Sequence, residues 1–213
     1  YLLGFAAGRF AIERGERNGR PFYLYHRESD ADKVAANREA IFDLHQQAIE
    51  WLEAYTNRKY PFEKLDFVLL PAFQFSGMEH AGAIYYSGPA LFLDKTATQD
   101  QYLSRASLIA HETAHMWFGD LVTMKWFDDL WLKEGFANYS ALLFQESISG
   151  EAGFARELQE TAVAALLHED KSTIRDAYQL QVYSPEYNSV LKSKGAYVLN
   201  MLRWVLGDEN FFK

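Results

Sequence analysis

Cysteine is absent from this 213-residue sequence, which excludes disulfides, thiolate metal sites and a thiol nucleophile. It leaves the compartment open, because reducing and oxidising locations both permit a cysteine-free chain. No apolar run approaches the roughly 18 residues of a membrane span, so a soluble segment is expected, with no membrane contact. A surplus of basic charge is also missing. Lys and Arg number 21 against 29 Asp and Glu, for a formal charge of −8, and the basic residues are scattered. That argues against nucleic acid and against an anionic membrane surface as partner. The first residue is Tyr1, with neither Met nor a signal-peptide layout, so the chain reads as a piece of something longer, cytoplasmic or periplasmic. No internal repeat or low-complexity tract is visible.

What is present is core-forming material: 49% apolar residues and 16% aromatics, too much for a disordered chain. The length fits one large domain. Residues 1–25 read as β, from the runs Tyr1-Leu2-Leu3, Phe10-Ala11-Ile12 and Phe22-Tyr23-Leu24-Tyr25 punctuated by Gly15, Gly19 and Pro21. So short a strand pair is expected to belong to a sheet whose remainder is missing. Ser29 or Asp30 caps a long amphipathic helix over about 31–56, with Val34, Ile41, Leu44, Ala48, Ile49, Leu52 and Tyr55 at helical spacing. Strands are expected at 65–70, 73–76 and 83–86, with 91–93 as a fourth. Helices follow near 100–118, 128–148, 151–168 and 193–206, and 171–190 reads as a polar, irregular stretch, a loop or short helices. Strands first and helices after make the class α+β.

His111-Glu112-Thr113-Ala114-His115 is an H-E-x-x-H pattern, which chance would produce in roughly one such chain in a hundred. Two His at i and i+4 share a helix face, so both imidazoles reach one cation. The surrounding Leu103, Ala106, Leu108, Ile109, Ala110, Ala114, Trp117 and Phe118 give the helix a buried character. Imidazoles and a carboxylate buried there are costly without a partner, and Zn²⁺ supplies one. A pair of core histidines bonded to backbone is the alternative. A catalytic zinc needs a third protein ligand and an open position for water. Glu134, in Trp131-Leu132-Lys133-Glu134-Gly135-Phe136-Ala137, is the candidate, with a solvated helix carboxylate as its alternative. Asp128 or Asp129 would cap that helix. Trp117, Trp126, Trp131 and Phe136 read as core, and His26, His45 and His168 as surface or satisfied histidines.

The zinc-type motif, the Trp-Leu-x-Glu-Gly-Phe-Ala block and the run from Met116 to Thr123 together resemble the gluzincin aminopeptidases, the family of aminopeptidase N and the leukotriene-hydrolysing enzyme. The resemblance implies a thermolysin-like catalytic domain over 29–213, a small mixed sheet packed on a mainly helical half and truncated at its C-terminal end. Residues 1–28 would be the tail of an N-terminal β domain. It further implies one Zn²⁺ held by His111, His115 and Glu134, Glu112 as general base, and peptide substrates with a free N-terminus. Glu112 stands beside the first ligand, where its carboxylate takes a proton from water and passes it to the leaving amine.

Ser76-Gly77-Met78-Glu79-His80, a turn after a strand by itself, resembles the family's G-x-M-E-N block. There a strand edge, here Gly77 and Met78, pairs with substrate backbone and the Glu, here Glu79, holds the α-ammonium. Ser76 and His80 depart from that pattern, with altered specificity or pH response the expected consequence. Lys192-Ser193-Lys194-Gly195 departs further. Lys192 stands where family members carry a Tyr that stabilises the tetrahedral intermediate. Either the Lys192 ammonium takes that role, or Lys192 faces solvent and Tyr187 serves instead. Two rival functions remain open: a zinc endopeptidase, for which Glu79 would have no use, and a zinc-holding scaffold without activity.

Overall fold

A computed structural model describes residues 4–182 and 184–213; the expected run Tyr1-Leu2-Leu3 lies outside them. The chain forms two compact units, Tyr1–Met116 and Trp117–Lys213.

The first unit is a mixed sheet with helices. β1 (Ala11–Arg17) and β2 (Arg20–His26) form a hairpin, turned by Asn18 and Gly19, both at positive φ. α1 (Ala31–Thr56) then crosses to β3 (Asp66–Leu70). β4 (Gly77–Met78) and β5 (Ala83–Ser87) complete the order β1-β2-β3-β5-β4. β2, β3 and β5 run parallel, and β1 and β4 pair antiparallel at the two edges. The remainder of the sheet that receives the first hairpin therefore lies in this chain, contrary to expectation. The parallel register Leu24↔Phe67 joins them, a pairing across α1 that no local pattern announces. Strand burial follows position: β2 alternates, with Phe22, Leu24 and His26 buried, while the interior strand β3 buries Phe67, Val68 and Leu69 in succession.

α1 covers the sheet because its apolar stripe is continuous, with Val34, Ile41, Phe42, Ala48, Ile49 and Leu52 all buried. Asp30 caps it by accepting from the Lys33 N–H, and Asn57 ends it in the left-handed region. Phe22 and Phe67 meet at 5.3 Å, and the His45 ring stacks on Phe67 at 3.7 Å. Gly15 is bare because a Cβ there would lie 2.6 Å from the Phe42 ring.

Two expected strands are not strands. Leu91 ends α2 (Gly88–Leu91) and Phe92 is its C-cap; Phe92 N–H bonds to Gly88 C=O and Leu93 N–H to the Asn37 side chain. Those donors are taken, one within the α2 turn and one by α1, so no ladder forms. The 73–76 segment bends after Pro71, and pairing begins only at Gly77. α3 (Gln99–Ala114) opens on a capping box of Thr98 and Gln101. Buried Arg105 fastens it, donating to Asn37 Oδ1 at 2.7 Å and Leu91 C=O at 3.3 Å. The helix stops short of the expected residue 118 because the last turn tightens, Met116 N–H bonding to Thr113 C=O.

In the second unit a 3₁₀ turn, Phe127–Asp129, precedes α4 (Trp131–Leu167). Leu130 holds the N-cap position with no side-chain cap, so neither Asp128 nor Asp129 plays the expected part. Gly150, at φ 71°, breaks α4 where two helices were expected to meet. α5 (Pro185–Asn188), a π-helix (Ser189–Lys194), α6 (Gly195–Leu206) and α7 (Asp208–Phe211) follow. α4 and the start of α6 approach closely through a glycine on each side: a Cβ on Gly135 would lie 3.1 Å from Gly195 carbonyl carbon. Trp126, expected in the core, is 67% exposed; it stands at the N-cap of the 3₁₀ turn, in extended backbone.

Candidate functional site

α3 carries His111 and Glu112 in its last turn and His115 at its C-cap, and all three are buried. One helical turn brings the two imidazoles together, with Nε2 atoms 3.1 Å apart and ring planes nearly perpendicular at 87°. A zinc ion with Zn–N bonds of about 2.0–2.1 Å would separate two tetrahedral nitrogen ligands by roughly 3.3 Å. The pair therefore fits one ion with a shift of a few tenths of an ångström, and its donor chemistry suits Zn²⁺.

Glu79 follows β4 directly and is also buried, 4% exposed. Its Oε1 lies 4.0 Å from His115 Nε2. Glu79, Glu112 and His115 each offer a ligand atom, all within 4.8 Å of one another. Two carboxylates so close disfavour one another's charge, and a cation favours both. β4 is the sheet edge, paired with β5 through Gly77↔Tyr86 and Met78↔Tyr85. A Cβ on Gly77 would fall 2.3 Å from Glu112 Oε1, so a larger residue would have to displace that carboxylate. The turn after β4 is closed by His80 N–H to Met78 C=O and Ala83 N–H to His80 C=O, with Gly82 at φ 71°. The His80 ring packs edge-on against Tyr85 at 4.6 Å.

Beneath this strand lies a polar pair that the sequence did not disclose. His45 Nδ1 donates to Ile41 C=O at 2.7 Å, which leaves Nε2 to accept from Tyr86 O–H at 2.9 Å. Burial pushes the His45 imidazole down to about 3, so it is neutral and suited to accept. Burial, and secondarily the Glu112 charge, hold the Tyr86 phenol well above its ordinary value. Tyr86 is the β5 residue opposite Gly77, so this bond anchors the strand behind Glu112. His45 had read as a surface or satisfied histidine, and it is satisfied; the pairing spans sheet and helix and has no sequence signature.

In the second unit Glu134 is buried in the first turn of α4. Lys133 Nζ lies 3.3 Å from its Oε1 and Lys192 Nζ 3.2 Å from its Oε2. Tyr187 is buried in an apolar cluster with Ala177, Val190 and Leu191, and Lys192 is the residue whose ammonium meets Glu134.

The chain is similar to aminopeptidases along most of its length. It is 37% identical, over 80% of its length, to the probable aminopeptidase 2 of Sulfurisphaera tokodaii, covering 22% of that protein. It is 35% identical, over 93% of its length, to the aminopeptidase N of Streptomyces lividans, covering 24%. With the mouse glutamyl aminopeptidase the figures are 32%, 100% and 23%. The chain thus spans about a quarter of the length of these relatives. Residues 40–213 match the peptidase family M1 domain. The chain belongs to peptidase family M1, a class of hydrolases acting on peptide bonds.

Proposed function

We propose that the protein is a zinc aminopeptidase that removes the N-terminal residue of peptides. In this reading residues 29–213 are part of a thermolysin-like catalytic domain, and the β1-β2 hairpin belongs to its sheet through the pairing of β2 with β3. His111, His115 and Glu134 would hold the ion. Zinc bound there supplies a Lewis acid that acidifies water and polarises the scissile carbonyl. Glu112 takes the proton of the attacking water and hands it to the departing amine. Glu79 receives the α-ammonium of the substrate. Gly77 and Met78, on the sheet edge, offer backbone groups to an extended peptide.

The observation that carries the reading is the 4.0 Å between Glu79 Oε1 and His115 Nε2. In an amino acid the α-nitrogen lies only about 2.5 Å from the carbonyl carbon, by its bond lengths and angle. A carboxylate that grips the amine must therefore sit almost against the metal if one residue is to be removed at a time. An endopeptidase would gain nothing from burying Glu79 there. Replacing His111, His115 or Glu134 with Ala in the full-length protein should abolish stoichiometric zinc and activity together. Any such variant that kept its zinc would remove that residue from the ligand set.

A further inference from the structure

We propose that Lys192 is a built-in competitor for the metal: its ammonium holds Glu134 in the metal-free protein and opposes zinc once it arrives. The inference rests on Glu134 being a zinc ligand, as proposed above.

Three features of the second unit support it. Glu134 is met on both oxygens by ammonium groups, Lys133 at 3.3 Å and Lys192 at 3.2 Å. Lys133 is the adjacent residue and accompanies Glu134 wherever α4 goes. Lys192 comes from another element, so its position is set by packing. That packing is tight, since Gly135, next to Glu134, and Gly195 bring the two backbones so close that a Cβ on either would meet the other at 3.1 Å. Finally, Lys192 rides on a π-helix, Ser189–Lys194. Such a widened turn is rare and rotates side chains away from where an α-helix would place them. Here that turn presents Lys192 to Glu134, with its neighbours Val190 and Leu191 buried.

The charge arithmetic sets the sign. Before loading, Lys192 faces the negative Glu134 carboxylate. Loading adds two positive charges beside it, whatever the surrounding carboxylates carry. An ammonium at this position therefore stabilises the empty site relative to the filled one. A neutral hydrogen-bonding group at position 192 would impose no such bias. Lys192 is thus a positioning residue that tunes metal retention.

The test is zinc affinity by chelator competition on the full-length protein, with wild type, Lys192→Met, Lys192→Gln and Lys192→Arg. Removing the charge should tighten zinc by about ten-fold, equivalent to about 1.4 kcal/mol, in both neutral variants. Arginine should restore the wild-type value. The metal-free neutral variants should also melt below the metal-free wild type, because they lose the ion pair while the filled form loses a repulsion. A merely structural lysine would lower both melting temperatures and leave affinity unchanged or weaker, and that result overturns the proposal. Methionine and glutamine differ in polarity, so an affinity gain in either variant suffices if the other does not fold. Absence of stoichiometric zinc from the wild type would instead defeat the functional reading.

Discussion

In the first unit Glu79 and Glu112 crowd with His115 inside 4.8 Å, whereas in the second Glu134 has an ammonium on each oxygen. Both arrangements bury acid, which is expensive unless positive charge comes with it. They differ in where that charge originates. Around Glu134 the chain supplies it, through Lys133 and Lys192. Around Glu79 and Glu112 the proposed reading brings it in from outside, as a zinc ion and as the ammonium of the substrate. On the proposed reading, the contrast is between a carboxylate from which zinc must displace a built-in counter-charge and a pair of carboxylates to which zinc and substrate add positive charge. It also gives the two units different sensitivities: the first to any loss of a proton-handling or amine-holding group, the second to the balance of charge at position 192.

The sharpest way to break the comparison is at Glu112. Glu112→Gln keeps the volume and one hydrogen-bonding oxygen but cannot accept a proton at neutral pH. The expected result is wild-type zinc content with kcat lowered by about 10²–10⁴-fold, the usual span of base catalysis. Measuring metal by atomic absorption beside single-substrate kinetics checks both halves. Near-normal turnover would move the base elsewhere and leave Glu112 as filler in the cluster.

A smaller effect is expected at Gly77. The 2.3 Å gap between a Cβ there and Glu112 Oε1 means that Gly77→Ala must push the carboxylate or the strand aside. Misplacing a catalytic group by such a distance costs about ten- to a hundred-fold. The loss should fall on kcat/KM, with zinc retained, since neither imidazole is touched. Wild-type kinetics in that variant would show that Glu112 does its work from another rotamer.

How much of this was legible in the sequence follows the range of the interactions. α1 was read to its ends, 31–56, because capping by Asp30 and left-handed termination by Asn57 are local and its apolar stripe is long. The approach of His111 and His115 was legible for the same reason, their spacing fixing a shared helix face. The failures lie where distant residues decide. Leu93 gave its N–H to Asn37 rather than to a strand. The first hairpin found its sheet across α1 at Phe67. Tyr86 met His45 and Lys192 met Glu134 through packing between elements. The family resemblance had flagged Lys192 as a departure, but only the structure set its ammonium on Glu134.

The most direct test of the account is the rate of hydrolysis of one peptide and its N-acetylated form by the zinc-loaded full-length protein, wild type against Glu79→Ala. Charge-assisted hydrogen bonds to a buried carboxylate are worth about 1.5–3 kcal/mol, which at about 1.4 kcal/mol per decade is ten- to a hundred-fold. The wild type should strongly prefer the free peptide. Glu79→Ala should lower kcat/KM for that peptide by this factor, barely affect the acetylated one, and leave zinc content unchanged. Equal losses on both peptides, or a wild type that cuts both equally well, would contradict an enzyme that recognises the N-terminus through Glu79.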